Sequence, residues 1–442
     1  MGRSIGGNQM GKKLGDARKP LRVGRTYPER TAAFGVSLGF WATGGLGIVL
    51  GFWRLAASAH LVLHRHLGNP RVLGAVHLFT LAGFSMLMMG ALYQLVPVLL
   101  NCPPVRTRSA LGQWLLYVIG LTGMIGGLSD DQGTWIALGG LGVVGGSGWF
   151  LANLGRLILR RRTWNITAWF FSCALGYLAL TLMLGGLLVI RLEAHGPSFS
   201  HVLALHLVVA LGGWFGLLMM GVSYRLWAMF GRRHQEPQRW KATLGLANAA
   251  IIAMGIGYAG SSHLLVWLGW VCQAAAVLTY VVDLRAAGWN DRRTMADPAL
   301  RTQILATLFL AVFEAFGTEA LRTHQPSFWV LAILAYGLGW LGLSFIAFIH
   351  KILPFLVWLH RYAHSGGSSK RPRLDDIWDP KTVYLPALAS AIGLTTMMAG
   401  WSARDQEVWM VGIGLQWFAW IALTIGGLRA ARGPHRTRQG GT

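Results

Sequence analysis

The chain has 442 residues, of which 54% are hydrophobic and only 12% charged, with 59 Gly, 21 Trp and a formal net charge of +23. So apolar a composition excludes an ordinary soluble domain and points to a polytopic membrane protein. The basic residues lie between apolar stretches, where they set topology, so the charge does not describe a nucleic-acid-binding surface.

The basic segment 1–30 has no short apolar core followed by a small-residue cleavage site, and it reads as a retained cytoplasmic tail rather than a secretory signal. Windows of about 20 apolar residues then predict twelve spans. These run near Ala33 to Ala57, Val72 to Leu100, Leu111 to Leu128, Trp135 to Leu154, Ile166 to Ile190 and Val202 to Phe230 in the first half. Ala242 to Ala259, Leu264 to Leu284, Thr302 to Leu321, Trp329 to Trp358, Val383 to Gly400 and Val408 to Leu428 complete the set. Of the 39 Lys and Arg residues, 31 fall in the tails and even-to-odd loops and six in the opposite loops. That bias predicts both termini in the cytoplasm of a bacterial-type inner membrane, with a transmembrane domain over 31–430 and a C-terminal tail over 431–442. The expected fold class is an all-α polytopic membrane bundle whose partner is the lipid bilayer.

A repeat divides the spans into groups. The second span carries MMGALYQLVP from Met88 to Pro97, the sixth MMGVSYRLWA from Met219 to Ala228, and the tenth FIAFIHKILP from Phe345 to Pro354. The aligned residues pair a small side chain (Gly90, Gly221, Ala347) with a ring bearing a polar edge (Tyr93, Tyr224, His350). The intervals of 131 and 126 residues each cover four spans, so the expected architecture is three units of four helices.

Ionisable groups inside spans mark candidate functional sites. His77 lies about 7 Å inside one end of the second span at 1.5 Å per residue, and His206 lies at similar depth in the sixth. His263 is read as capping the outer end of the seventh span. His201 is five residues before His206, on another face of the helix. Imidazole nitrogens suit haem iron and copper, and depth matching is what two ligands on different helices need. Each of these histidines also has a structural reading as a packing residue bonded to a carbonyl. HLVLHRH, containing His60, His64 and His66, reads as an interfacial basic segment. Glu314 in LFLAVFEAFGTEAL of the ninth span is the candidate proton or hydrogen-bond partner, while Glu319 is set to pair with Arg322 at i, i+3. His350, Lys351 and Pro354 read as a kinked helix end contacting the inner surface. Cys102, Cys173 and Cys272 are isolated and imply neither a disulfide framework nor a Cys-rich metal site.

Twelve spans, cytoplasmic termini, a three-by-four repeat and outer-half histidines on spans two and six resemble subunit I of the haem–copper oxidase superfamily, and also the smaller NnrS-type membrane proteins associated with nitric oxide tolerance. The resemblance implies haem as cofactor, with copper as a second candidate, and a cytochrome or other respiratory subunit as partner. It implies His77 as the second-span haem ligand, His206 as the sixth-span copper ligand and His263 as a loose counterpart of a seventh-span copper ligand. This sequence departs from the family pattern in lacking an adjacent His pair on the seventh span and an outer-half His pair on the tenth. The implied protein is therefore a divergent, oxidoreductase-like haem protein without the full oxidase ligand set, acting in respiratory electron transfer or nitric oxide handling. The rival readings are a secondary transporter of a small solute or metal ion, which would repeat as two sets of six spans, and a non-catalytic assembly subunit.

Overall fold

The computed structural model describes residues 34–100, 102–160, 164–190, 197–230, 237–289, 291–362 and 372–433. The basic N-terminal segment and His195, His234, His364 and His435 lie outside the described residues. Among the described residues there is no strand, and twelve helices are long and apolar enough to cross a bilayer. They are α1 (Phe34–Ala57), α2 (Pro70–Leu99), α3 (Thr107–Asp130), α4 (Gly133–Leu159), α5 (Ile166–Ile190), α6 (Phe199–Phe230), α7 (Trp240–Ala259), α8 (His263–Trp289), α9 (Pro298–Thr323), α10 (Pro326–Arg361), α11 (Pro380–Ala403) and α12 (Gln406–Arg432). Most extend the apolar windows by one polar turn, because helix ends take their caps from residues a hydropathy window rejects. Asp297 and Asp405 accept backbone N–H bonds at the starts of α9 and α12.

The helices form three like units, α1–α4, α5–α8 and α9–α12. In each unit the third and fourth helices make a tight hairpin, and neighbouring units meet α4 against α5, α8 against α9 and α12 against α1, closing a ring. The hairpins share one construction. Gly139, Gly269 and Gly412 each press on the backbone nitrogen of a methionine, Met124, Met254 and Met397, so closely that a Cβ there would lie 2.1, 2.8 and 2.6 Å from it. Gly127, Gly257 and Gly400 meet the opposing backbone in the same way, nine residues before Ile136, Val266 and Trp409. Without a hydrophobic driving force in lipid, backbone approach through small residues is what holds helices together. Each hairpin also turns through a non-glycine residue in the left-handed region, Asp131, Ser261 and Arg404.

The second helix of each unit is the long one, at 30, 32 and 36 residues, and α2, α6 and α10 meet at the centre. Phe84 of α2 lies against Phe215 of α6 and stacks on Phe345 of α10, with ring centroids 6.4 and 5.2 Å apart. All three helices loosen into a π-helical stretch, Leu78–Ser85, Val209–Leu217 and Ala335–Gly342. These begin 131 and then 126 residues apart, the same intervals as the sequence repeat. Within them Ala82, Gly213 and Gly339 pack on Gly47, Tyr177 and Phe309 of the first helix in each unit. Three equivalent helices with an equivalent irregularity establish the threefold plan.

The odd-to-even loops form one face, which carries His60, His64, His66, His263 and His324 and few basic residues. The other face carries most of the described Arg and Lys side chains. These are called the histidine face and the basic face below.

Candidate functional site

The histidine-face half of the bundle gathers the intramembrane ionisable groups. α2 and α6 both enter from that face, and His77 and His206 each stand seven residues in from Pro70 and Phe199. His77 is the last residue before the π-helical stretch of α2, and His206 precedes that of α6 by three. A π-bulge re-aims side chains at its borders and is frequent at functional sites.

The His77 Nδ1 lies 2.8 Å from the Leu73 carbonyl oxygen. A carbonyl only accepts, so Nδ1 carries the hydrogen and Nε2 presents its lone pair. The His206 Nδ1 is buried and makes no hydrogen bond. Thr181 of α5 offers its carbonyl nearby without closing one, and Gly185 of α5 leaves room for the ring, whose Cε1 is 3.4 Å from where a Cβ at that position would stand. The two imidazoles are close enough to act on each other electrostatically. The fold thus brings together two histidines 129 residues apart in sequence.

Glu314 lies nine residues from the histidine-face end of α9, at Thr323. Both its carboxylate oxygens are buried without a hydrogen-bond partner. Gln273 of α8 and Tyr336 of α10 are the neighbours that bear on it. The Tyr336 hydroxyl donates to the Leu211 carbonyl oxygen, 2.6 Å away in the π-helical stretch of α6. Tyr336 thus bonds to the helix that carries His206 while lying within electrostatic reach of Glu314. Glu319 takes no part, since it pairs with Arg322 at 2.6 Å on the surface.

His263 departs from expectation. It is the first residue of α8, after the α7 cap at Gly260, and is not the end of the seventh span. The Ser262 hydroxyl caps the new helix by accepting from the Leu265 N–H, and this fixes where α8 starts. The ring is exposed on the histidine face, edge-on to His324 with centroids 5.5 Å apart. It is not brought to the His77–His206 pair. His201 faces Ser261, its Nε2 3.5 Å from the hydroxyl.

His60 and His64 stack at 4.0 Å on a short surface helix, Ala59–Leu63 and its cap. At the basic end His350 stacks on Trp378 at 4.0 Å and Lys351 pairs with Asp297. Among the described residues no group of three or more His, Cys, Asp and Glu side chains could hold a metal ion. The three cysteines are free.

Apolar cavities lie between the helices, two of them lined without a histidine. One lies between α1, α2, α10 and α12 beside Trp41, Leu87, Leu353 and Trp420, and the other lies at the central seam of α2, α6 and α10 beside Met88, Met219 and Phe348. Both are apolar.

Sequence reasoning missed the polar groups at the basic-face half. The Tyr93 hydroxyl donates to Gln113 Oε1 at 3.2 Å and accepts from Asn153 Nδ2 at 3.1 Å. In the second unit Tyr224 meets Thr243 at 3.0 Å and donates to Asp283 at 3.4 Å, while Asp283 also accepts from the Arg239 backbone N–H. The signal was available, because Gln113 and Thr243, like Asn153 and Asp283, are 130 residues apart.

Comparison with models of known protein families finds no match, and comparison with curated protein sequences finds none either.

Proposed function

We propose that this protein is a divergent relative of haem–copper oxidase subunit I that binds a redox metal, haem iron or copper, at His77 and His206 and acts in respiratory electron transfer or nitric oxide handling. The observation that carries the reading is the pair itself: two imidazoles at one depth on two central helices, one with a free Nε2 lone pair and the other with an unpartnered buried Nδ1. A buried imidazole nitrogen without a partner is costly, and a metal ligand role removes that cost. The threefold plan with long central helices supports the same reading, since a secondary transporter of the major-facilitator layout repeats as two halves.

When bound, the metal would supply one-electron transfer and a coordination position for a diatomic ligand. The chain's own contribution is narrower. The Leu73 carbonyl fixes the His77 tautomer and ring orientation, Gly185 admits the His206 ring, and Glu314 with Tyr336 places a hydrogen-bonding group on the α9–α10 side of α6. His263 is not among the ligands, and a three-histidine copper site is not part of the proposal.

The test is purification from the native host in mild detergent, followed by reduced-minus-oxidised spectra, a pyridine haemochrome assay and metal analysis. Stoichiometric haem or copper, lost in His77→Ala and His206→Ala, is the expected result. Protein with neither haem nor copper would overturn the reading and send attention to transport assays with Glu314→Gln as the first variant.

A further inference from the structure

The three seams between units are equivalent by the repeat but are filled differently. Where the first unit meets the second, Phe150 of α4 stands edge-on to Trp214 of α6, with centroids 6.3 Å apart at 79°. The Trp214 indole N–H donates to the Ser85 hydroxyl of α2 at 3.2 Å, and Phe171 of α5 is buried in the same register. Where the second unit meets the third, the same frame returns as Tyr280 of α8 edge-on to Trp340 of α10, with centroids 6.4 Å apart at 78°. Gln303 of α9 replaces Phe171, and the position that Ser85 held is Gly216, where a Cβ would lie 2.8 Å from the Tyr336 hydroxyl and displace it.

The second seam has thus exchanged two phenyl rings for a phenol and an amide and has lost the one acceptor its indole would have used. Tyr280, Gln303 and Trp340 are all at 0% exposure. The Tyr280 hydroxyl, both polar atoms of the Gln303 amide and the Trp340 N–H make no hydrogen bond within the described residues. Yet they converge, since Ser223 of α6, Gln303 and Trp340 all bear on the Tyr280 hydroxyl. Four helices aim polar groups at one point without closing on each other. Asp283, one turn from Tyr280 on the same face of α8, connects this point to the basic face through Arg239, which is 49% exposed.

We infer that the seam between the second and third units holds internal water at the meeting point of Tyr280, Gln303 and Trp340. The set is uncharged and has donors on the indole, the amide and the hydroxyls with acceptors on the amide and hydroxyls, which is the complement water needs for three or so bonds. A cation would find only two kinds of neutral oxygen and an indole N–H against it, and an anion would meet the amide oxygen. The site includes neither His77 nor Glu314, so it stands whether or not the protein binds a metal.

The experiment is radiolytic hydroxyl-radical labelling of the wild-type protein in lipid nanodiscs in ¹⁸O-water, read residue by residue by mass spectrometry. Internal water generates the radical in place, so Trp340 is expected to take up label several-fold faster than Trp214, its equally buried counterpart in the first seam. Labelling of Trp340 at the Trp214 rate overturns the inference and means that the side chains close on each other in a dry seam. The shape-conserving pair Tyr280→Phe with Gln303→Leu should lower Trp340 labelling to the Trp214 level. Unchanged labelling in folded variant protein would equally overturn it, by placing the water elsewhere.

Discussion

The first and second seams share their geometry to within a tenth of an ångström and one degree at the central aromatic pair, Phe150–Trp214 against Tyr280–Trp340, and differ in what surrounds it. The first is closed by ring packing and one indole-to-serine hydrogen bond, and the second leaves four polar atoms aimed inward. The third seam, between α12 and α1, keeps an apolar slot beside Trp41 and Leu423. One backbone repeat therefore yields a packed, a polar and an open interface. Side-chain exchange at three or four positions is enough, because the hairpin glycines and central helices hold the frame independently of the seam.

The largest effect should come from emptying the packed seam. Trp214→Ala or Phe150→Ala is expected to lose about 3–5 kcal/mol in denaturant unfolding in detergent, the range for large aromatic truncations in a close-packed core. Trp340→Ala should lose less, because solvent at the second seam fills the space. Equal losses would break the comparison.

Charge tests the two tyrosine clusters. Asn153→Asp places a carboxylate in the first unit, where Asn153 donates to Tyr93 and has no basic partner among the described residues, and should cost about 3 kcal/mol. Asp283→Asn removes a charge-assisted bond from the Arg239 N–H and should cost about 1.5–3 kcal/mol by the same measurement. If Asn153→Asp were the milder change, the first unit would have a basic partner that its hydrogen bonding does not show.

Glycine substitution separates packing from helix irregularity. At Gly213 a Cβ would lie 2.4 Å from the Tyr177 ring, so Gly213→Ala should cost about 1–3 kcal/mol as overpacking. Gly337 sits in the equivalent stretch of α10 with nothing within 4 Å, and Gly337→Ala should shift stability by less than about 0.5 kcal/mol. A large effect at Gly337 would show that the π-helical geometry itself requires glycine. Removing the acceptor of the Trp214 indole is a modest change: Ser85→Ala should cost about 1 kcal/mol. Gly216 offers Trp340 no such partner to remove.

Much of this was legible in the chain. The spans follow from hydropathy, and the 131- and 126-residue intervals between Tyr93, Tyr224 and His350 predicted the three units before any contact was known. A second signal lies in the same chain: methionine, glycine three residues on and glycine fifteen residues on recur at Met124, Met254 and Met397, marking the hairpins. The depth match of His77 and His206 was also readable, because helix rise converts residue number into depth. The position of His263 was not, since it turned on whether Ser262 would cap α8.

Length, apolar content and repeat spacing determined the twelve helices and their threefold plan, because a bilayer requires each span to satisfy its own backbone hydrogen bonds and so makes the segment the unit of structure. Only the tertiary structure decided which polar side chains share a seam. Tyr280, Gln303 and Trp340 lie on three helices with no local signature. What they do together depends on Gly216 withholding a hydroxyl, a fact about neighbours in space that no single segment records.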